Sequence, residues 1–154
     1  MAILKIVKEG SADLRKKSRP VEKINRRIIT LLDDMYETMK NANGIGLAAP
    51  QVGVLRRVAV VEHEETLYEM INPVIIKSEG VQRRNEACLS VPGRSGDIDR
   101  PAYVKVEALN RHGETYTIEG DDLLASALCH ELDHLDGVLI VDRALRMVVD
   151  EEAG

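Results

Sequence analysis

The pentapeptide His130-Glu131-Leu132-Asp133-His134 constrains this chain more than any other stretch. On a helix, residues four apart differ by about 40° around the axis and about 6 Å along it, so both imidazoles leave one face within reach of a single metal ion. Glu131 then stands beside that ion without being obliged to ligate it, where a carboxylate can take a proton from a metal-activated water. The flanks predict the helix itself. Asp121 or Asp122 is placed to cap its start, and Gly137 sits where a helix commonly turns left-handed and stops. Leu124, Leu128, Leu132 and Leu135 form an apolar stripe for a core, separate from the stripe through Ala127, His130 and His134. A core helix with two buried histidines is the plainer alternative, but caps, spacing and the intervening glutamate together favour a metal centre. Two histidines leave zinc or iron short of ligands, so a third must come from elsewhere in the chain.

A fold around such a helix has to be built almost without aromatics, since the 154 residues include four Tyr and no Phe or Trp. The core is therefore expected to be aliphatic, and the length suits a single domain over residues 1–154. From Asn25 the pattern is helical: Ile28, Leu31, Leu32, Met35 and Met39 make one stripe, with Asn25 as cap and Gly44 as the stop. Strand-like runs follow at 57–61 and 67–71, around a polar turn containing His63, and at 74–77 after Pro73. Residues 103–109 and 115–118 alternate as a hairpin around a turn containing His112. Strands followed by a late helix predict an α+β domain, with antiparallel sheet packed around the central metal-binding helix and an N-terminal helix beside it. The acidic cluster at 150–152 reads as a frayed end.

The net charge of −5 gives no general case for nucleic-acid binding and none for a specific DNA site. Residues 5–27 nonetheless carry nine basic side chains against three acidic ones, a face for ribosomal RNA or simply for solvent. No apolar run reaches membrane-spanning length, and no secretory apolar segment stands at the N-terminus. Two cysteines, Cys88 and Cys129, are too few for a disulfide framework, which fits a reducing cytoplasm and leaves a thiol for chemistry.

Two stretches are left to serve the metal helix. Residues 44–53 are small and apolar, bounded by glycines and broken by Pro50, a composition suited to backbone that passes close to something. Gln51 is the one side chain in it able to donate a hydrogen bond. The segment Glu86-Ala87-Cys88-Leu89-Ser90 offers the third ligand. A thiolate, two imidazoles and a water make an open hydrolytic site. Cys129 competes, but it adjoins His130 and is turned about 100° away on the helix, so Cys88 is the better ligand. A zinc endopeptidase, a closed structural metal site and a ribosome-docking module remain alternatives on these residues. The closed site needs a fourth protein ligand, for which Cys129, His63 and His112 are poorly placed.

Taken together, three stretches resemble peptide deformylase, the family that removes the formyl group from new polypeptides. Its GxGLAAxQ loop, EGCLS segment and QHExDHLxG helix occur in that order. Here they read Gly44-Ile45-Gly46-Leu47-Ala48-Ala49-Pro50-Gln51, then Glu86-Ala87-Cys88-Leu89-Ser90, then Cys129-His130-Glu131-Leu132-Asp133-His134-Leu135-Asp136-Gly137. The N-terminal helix is similar too. Ala87 stands where the family has glycine, and Cys129 where it has glutamine. Neither change removes a ligand, the proton carrier or an oxyanion donor.

The resemblance implies that Cys88, His130 and His134 hold one divalent metal ion, Fe²⁺ first, with Zn²⁺, Ni²⁺ or Co²⁺ as alternatives. It implies attack of metal-bound hydroxide on the formyl carbon of an N-formyl-methionyl peptide, with Glu131 carrying the proton to the leaving amine. The oxyanion is expected to meet the Gln51 amide and the Leu89 backbone N–H. The peptide is expected to pair along Gly44, Ile45 and Gly46, its Met side chain lined by Ile45 and Leu128. Asp133 lies off the metal face and is expected to pair with Arg100 behind the site, because buried acids need partners.

Overall fold

The helix that carries the histidines, α2, spans Asp122–Leu135 in the computed structural model, which describes residues 2–149. The expected frayed end at 150–152 lies outside the described residues. Asp121 takes the N-cap position with extended backbone, but its side chain makes no capping bond, so that expectation holds in position and not in chemistry. The C-terminal end closes as the sequence suggests. The Gly137 N–H donates to the His134 carbonyl and the Val138 N–H to the Asp133 carbonyl, with Gly137 at φ +75°. That pair of bonds ends a helix through a left-handed residue. A Cβ at 137 would also lie 2.5 Å from the Arg15 carbonyl oxygen, so glycine serves the turn and the close approach at once.

The N-terminal helix, α1, spans Arg26–Asn41, and the Asn25 side chain accepts from the Ile28 N–H at its start. Its buried stripe is the expected one, with Thr38 added. Thr38 Oγ1 donates to the Asp34 carbonyl and accepts from the Leu4 N–H, which ties the first residues of the chain across the helix.

The described residues also form eight strands: β1 (Gly46–Ala48), β2 (Val58–His63), β3 (Thr66–Glu79), β4 (Gln82–Cys88), β5 (Val91–Arg100), β6 (Tyr103–Leu109), β7 (Thr115–Asp121) and β8 (Arg146–Val149). They form two antiparallel sheets, one in the order β1-β2-β3-β6-β7 and one in the order β4-β5-β8. β2 is buried on both faces, and its alternation assigns each face to a helix. Ala59 and Val61 pack with Leu124, Leu128 and Leu132 of α2, while Val58 and Val60 pack with Leu32 and Met35 of α1. The larger sheet is thus held between the two helices, and the smaller sheet covers the polar side of α2. A short helix, α3 (Ile140–Arg143), returns the chain to β5.

The runs at 67–71 and 74–77 belong to one continuous β3, with a register shift between Ile71 and Val74 at Pro73. Pairing with β2 ends at Ile71, so from there the strand has a free edge where proline's missing donor costs nothing. The β4–β5 hairpin was not expected at all, because its sequence is polar and carries Pro92, Gly93 and Gly96. Val91 and Ile98 pack with Ile140 on its inner face, and polar pairs face each other across its outer one. Arg83 Nε donates to Asp99 at 2.7 Å and Asn85 Nδ2 to Asp97 at 3.0 Å, each pair in direct register on the outward face.

Candidate metal centre and cleft

β4 ends at Cys88, and alternation turns Cys88, Glu86 and Arg84 to the face that meets α2. Each then finds a partner or a cavity there. Cys88 Sγ lies 3.3 Å from His134 Nε2, and one ligand atom from each of Cys88, His130 and His134 lies within 4.8 Å of the others. All three residues are buried. Helix and strand therefore bring together the three ligand candidates read from the sequence.

The donor set fits a divalent first-row ion with an open position: one thiolate and two imidazoles. The surroundings fit too. Glu86 Oε1 accepts from His130 Nδ1 at 2.9 Å, which leaves the other ring nitrogen of His130 as a lone-pair donor. Burial works against the charge on Glu86. The guanidinium of Arg100, bonding through Nε at 2.9 Å and an Nη at 2.8 Å, and the His130 ring nonetheless hold its carboxyl well below the usual range. Ser126 Oγ donates a fourth bond at 2.6 Å. Arg100 reaches on to Asp133 at 2.6 Å, the pairing anticipated behind the site, and Arg143 of α3 also holds Asp133.

Glu131 is buried, and burial pushes its carboxyl up to about 7. Its Oε1 is buried with no hydrogen-bond partner among the described residues, the state of a group whose partner belongs to the reaction. Its other oxygen faces β1, where a Cβ on Gly46 would lie only 2.5 Å away. A side chain at 46 would displace the carboxylate, so the glycine is needed there for proximity. Burial lowers His134, whereas His130 is raised despite burial by Glu131, Cys88 and Glu86.

Gln51 is buried beside Cys88 in the short 3₁₀ turn Ala49–Val52. Its Oε1 accepts from the Ala48 N–H at 3.0 Å, which fixes which way the amide points. Nε2 donates to Ser90 Oγ at 3.1 Å and to Cys88 Sγ at 3.6 Å. One N–H is thus anchored on Ser90, and the other points to the Cys88 sulfur at the centre. Leu89 and Ser90 form the turn between β4 and β5, and a Cβ at Gly44 would meet Leu89 Cδ1 at 2.8 Å. Gly44 and Leu89 therefore close against each other at one wall of the cleft.

The cleft has a volume of about 380 Å³ and is bordered by Gly44, Ile45 and Gly46 on one side, by β4 on another and by α2 beneath. Leu128, expected in the lining, is absent from it. The side chain is fully buried in the core between α2 and the large sheet, as its place in the Leu124–Leu132 stripe demands, and cannot also face the cleft. Leu123, Ser126 and Ala127 take that place. Cys129 also points to the core, where burial pushes its thiol up to about 11, far from a metal-binding thiolate. Ala87 has no left-handed φ, so alanine is accepted at this position without backbone strain. Glu86, Ser90 and Ser126 were missed as working residues. The two-residue spacing between Glu86 and Cys88 was the available signal for the first.

A family model described as polypeptide deformylase matches residues 3–149. The peptide deformylase of Acetivibrio thermocellus is 56% identical over 152 residues, covering 99% of this chain and 89% of that one. Peptide deformylase 1 of Clostridium acetobutylicum is 55% identical over 93% of this chain and 95% of its own. Among solved structures, the peptide deformylase of Thermotoga maritima matches with a TM-score of 0.92 at 35% identity, over 95% of this chain and 100% of that one.

Because the Glu86 carboxyl is depressed in the folded chain, its stabilising contribution is complete above the unfolded value near 4.5 and is lost as the pH falls through the lower folded value. Unfolding of the parent protein and of Glu86→Gln, at equal metal occupancy, should differ by about 3 kcal/mol above pH 5. The gap should narrow as the pH is taken towards 2. A difference that does not change with pH would contradict the ion-paired state of Glu86.

Proposed function

Because the chain belongs to the polypeptide deformylase family, we propose that Cys88, His130 and His134 hold its metal ion and that Glu131, Gln51 and Leu89 carry the reaction. The enzyme is a metal-dependent hydrolase that removes the N-formyl group from the initiator methionine of nascent polypeptides, releasing formate. The observation that carries the residue assignment is the convergence of Cys88, from β4, on the two histidines of α2. A divalent ion held there supplies Lewis acidity and an activated water.

The protein's own residues have the remaining work. Glu131 takes the proton of the attacking water and delivers it to the leaving amine, a task suited to a carboxyl pushed up towards neutrality. As the formyl carbon becomes tetrahedral, its oxygen takes up charge and is met by the Gln51 N–H that points to the centre, which exchanges its weak bond to Cys88 Sγ for the oxyanion, and by the Leu89 backbone N–H. The substrate backbone runs along Gly44, Ile45 and Gly46. These residues lie at the edge of the larger sheet, where β1 has β2 on one side only. The methionine side chain enters between Ile45 and the Ala127 side of α2.

For the ion we propose Fe²⁺, with Zn²⁺, Ni²⁺ and Co²⁺ able to replace it, since one thiolate with two imidazoles accepts several first-row metals. We also propose a single catalytic domain over 1–154, a cytoplasmic setting, and a transient ribosome contact through the basic N-terminal segment. Supporting the last, Arg19, Arg26, Arg27 and Arg56 line one groove with Lys23, alongside only Glu22 and Asp34. Among the described residues no helix is long and apolar enough to cross a membrane.

Glu131→Gln should retain its metal and lose at least about 10²-fold in kcat, because proton transfer is removed while the ligands stay. The parent enzyme should yield formate from formyl-Met-peptides and leave acetyl-Met-peptides intact. Near-normal turnover by metal-loaded Glu131→Gln would remove Glu131 from the mechanism. If iron is the ion, activity should decay in air and return on reloading with Ni²⁺, after which it should withstand air. An iron-loaded sample stable for days in air would argue for another metal.

A further inference from the structure

The chain has thirteen arginines, and eight of them lie within 4 Å of a carboxylate. Of the remaining five, four line the N-terminal groove and one, Arg84, lines the catalytic cleft. Among the described residues its only side-chain hydrogen bond is a 3.4 Å contact with the neutral Gln82 Oε1. The nearest acid on the same strand face, Glu86, is fully engaged by Arg100, Ser126 and His130. A half-buried guanidinium without a counter-charge among the described residues has a strong unmet capacity for a carboxylate.

The strand places that guanidinium. Four residues at about 3.3 Å each set Arg84 roughly 13 Å along β4 from Cys88. On the facing wall Leu123 precedes His130 by seven residues, about 10 Å of helix. Arg84 and Leu123 therefore mark the end of the cleft remote from the metal ligands. That end is open, for Leu123 is 41% exposed.

We propose that Arg84 is a specificity-determining residue that selects formyl-methionyl peptides with an acidic side chain at the third position. In an extended peptide, side chains one and three share a face and side chain two points away. The third residue lies roughly 7 Å beyond the first along the chain. With the methionine side chain in the cleft near the ligands, the third side chain stands over the open end, where Asp or Glu meets the guanidinium in a two-pronged bond and Lys is repelled. The second side chain faces away and carries no such preference. This inference rests on the proposed seating of the peptide along residues 44–46, and turnover of a neutral peptide reports on that seating separately.

The test is a set of C-terminally amidated peptides, formyl-Met-Ala-X-Ala, with X as Glu, Gln or Lys, and a second set with X moved to position two. The parent enzyme should favour Glu over Lys at position three by about five- to tenfold in kcat/KM, chiefly through KM, and the preference should shrink in high salt. Arg84→Gln should turn over the Gln peptide within about twofold of the parent and lose the Glu–Lys preference, while Arg84→Glu should reverse it. A parent enzyme indifferent to X, a preference unchanged in Arg84→Gln, or a preference found at position two would each overturn the proposal.

Discussion

The buried carboxylate of Glu86 is the constraint on which the centre depends. It accepts from Arg100, Ser126 and His130, and so joins β4, the last residue of β5 and two turns of α2 in one knot. A charge in this position is costly unless every lone pair is used, and here each oxygen has two partners. The knot does more than offset burial. By holding His130 Nδ1 it fixes the ring's tautomer and tilt, and by anchoring β4 it sets where the strand releases Cys88 two residues later. Arg100 extends the same knot through Asp133 to Arg143, so α3 is tied to the back of the site.

A second tie works from the other end of the chain. The Val7 N–H donates to the Gln51 carbonyl and the Glu9 N–H to the Ser90 carbonyl, while Lys8 Nζ reaches the Leu89 carbonyl. One extended N-terminal segment thus spans the two short turns that carry the proposed oxyanion donors, Gln51 and Leu89. Gln51 and Ser90 are also joined directly through their side chains. Donors from distant parts of the chain are held by bonds already made before a substrate arrives, which is the condition for electrostatic stabilisation without reorganisation.

Much of this was legible in the sequence because the strongest signals were local. Helix α2 declares itself through Gly137 and the i, i+4 histidines, and α1 through Asn25 and one apolar stripe. The strands with alternating aliphatic residues, β2 and β6 above all, were readable for the same reason. The β4–β5 hairpin was not. Its outward face carries Arg83–Asp99 and Asn85–Asp97 pairs twelve to sixteen residues apart, and its apolar support, Val91 and Ile98 against Ile140, is too sparse for any periodicity to reveal. The lining of the cleft failed differently. Leu128 belongs to the core stripe and cannot turn to the cleft, whereas Arg84 and Leu123 reach it only because two unlike elements run side by side. The Asp133–Arg100 pair was legible through cost rather than pattern, because an acid off the metal face needs a partner when it is buried.

The central claim is that Cys88 at the end of β4, and not the neighbouring thiol on α2, completes the pair of histidines. Cobalt-substituted protein tests this most directly, because a thiolate ligand gives a sulfur-to-cobalt charge-transfer band that imidazoles alone do not. The band should be present in the parent protein and in Cys129→Ser, and absent from Cys88→Ser together with most of the metal affinity. A band that survives in Cys88→Ser and disappears in Cys129→Ser would contradict the account.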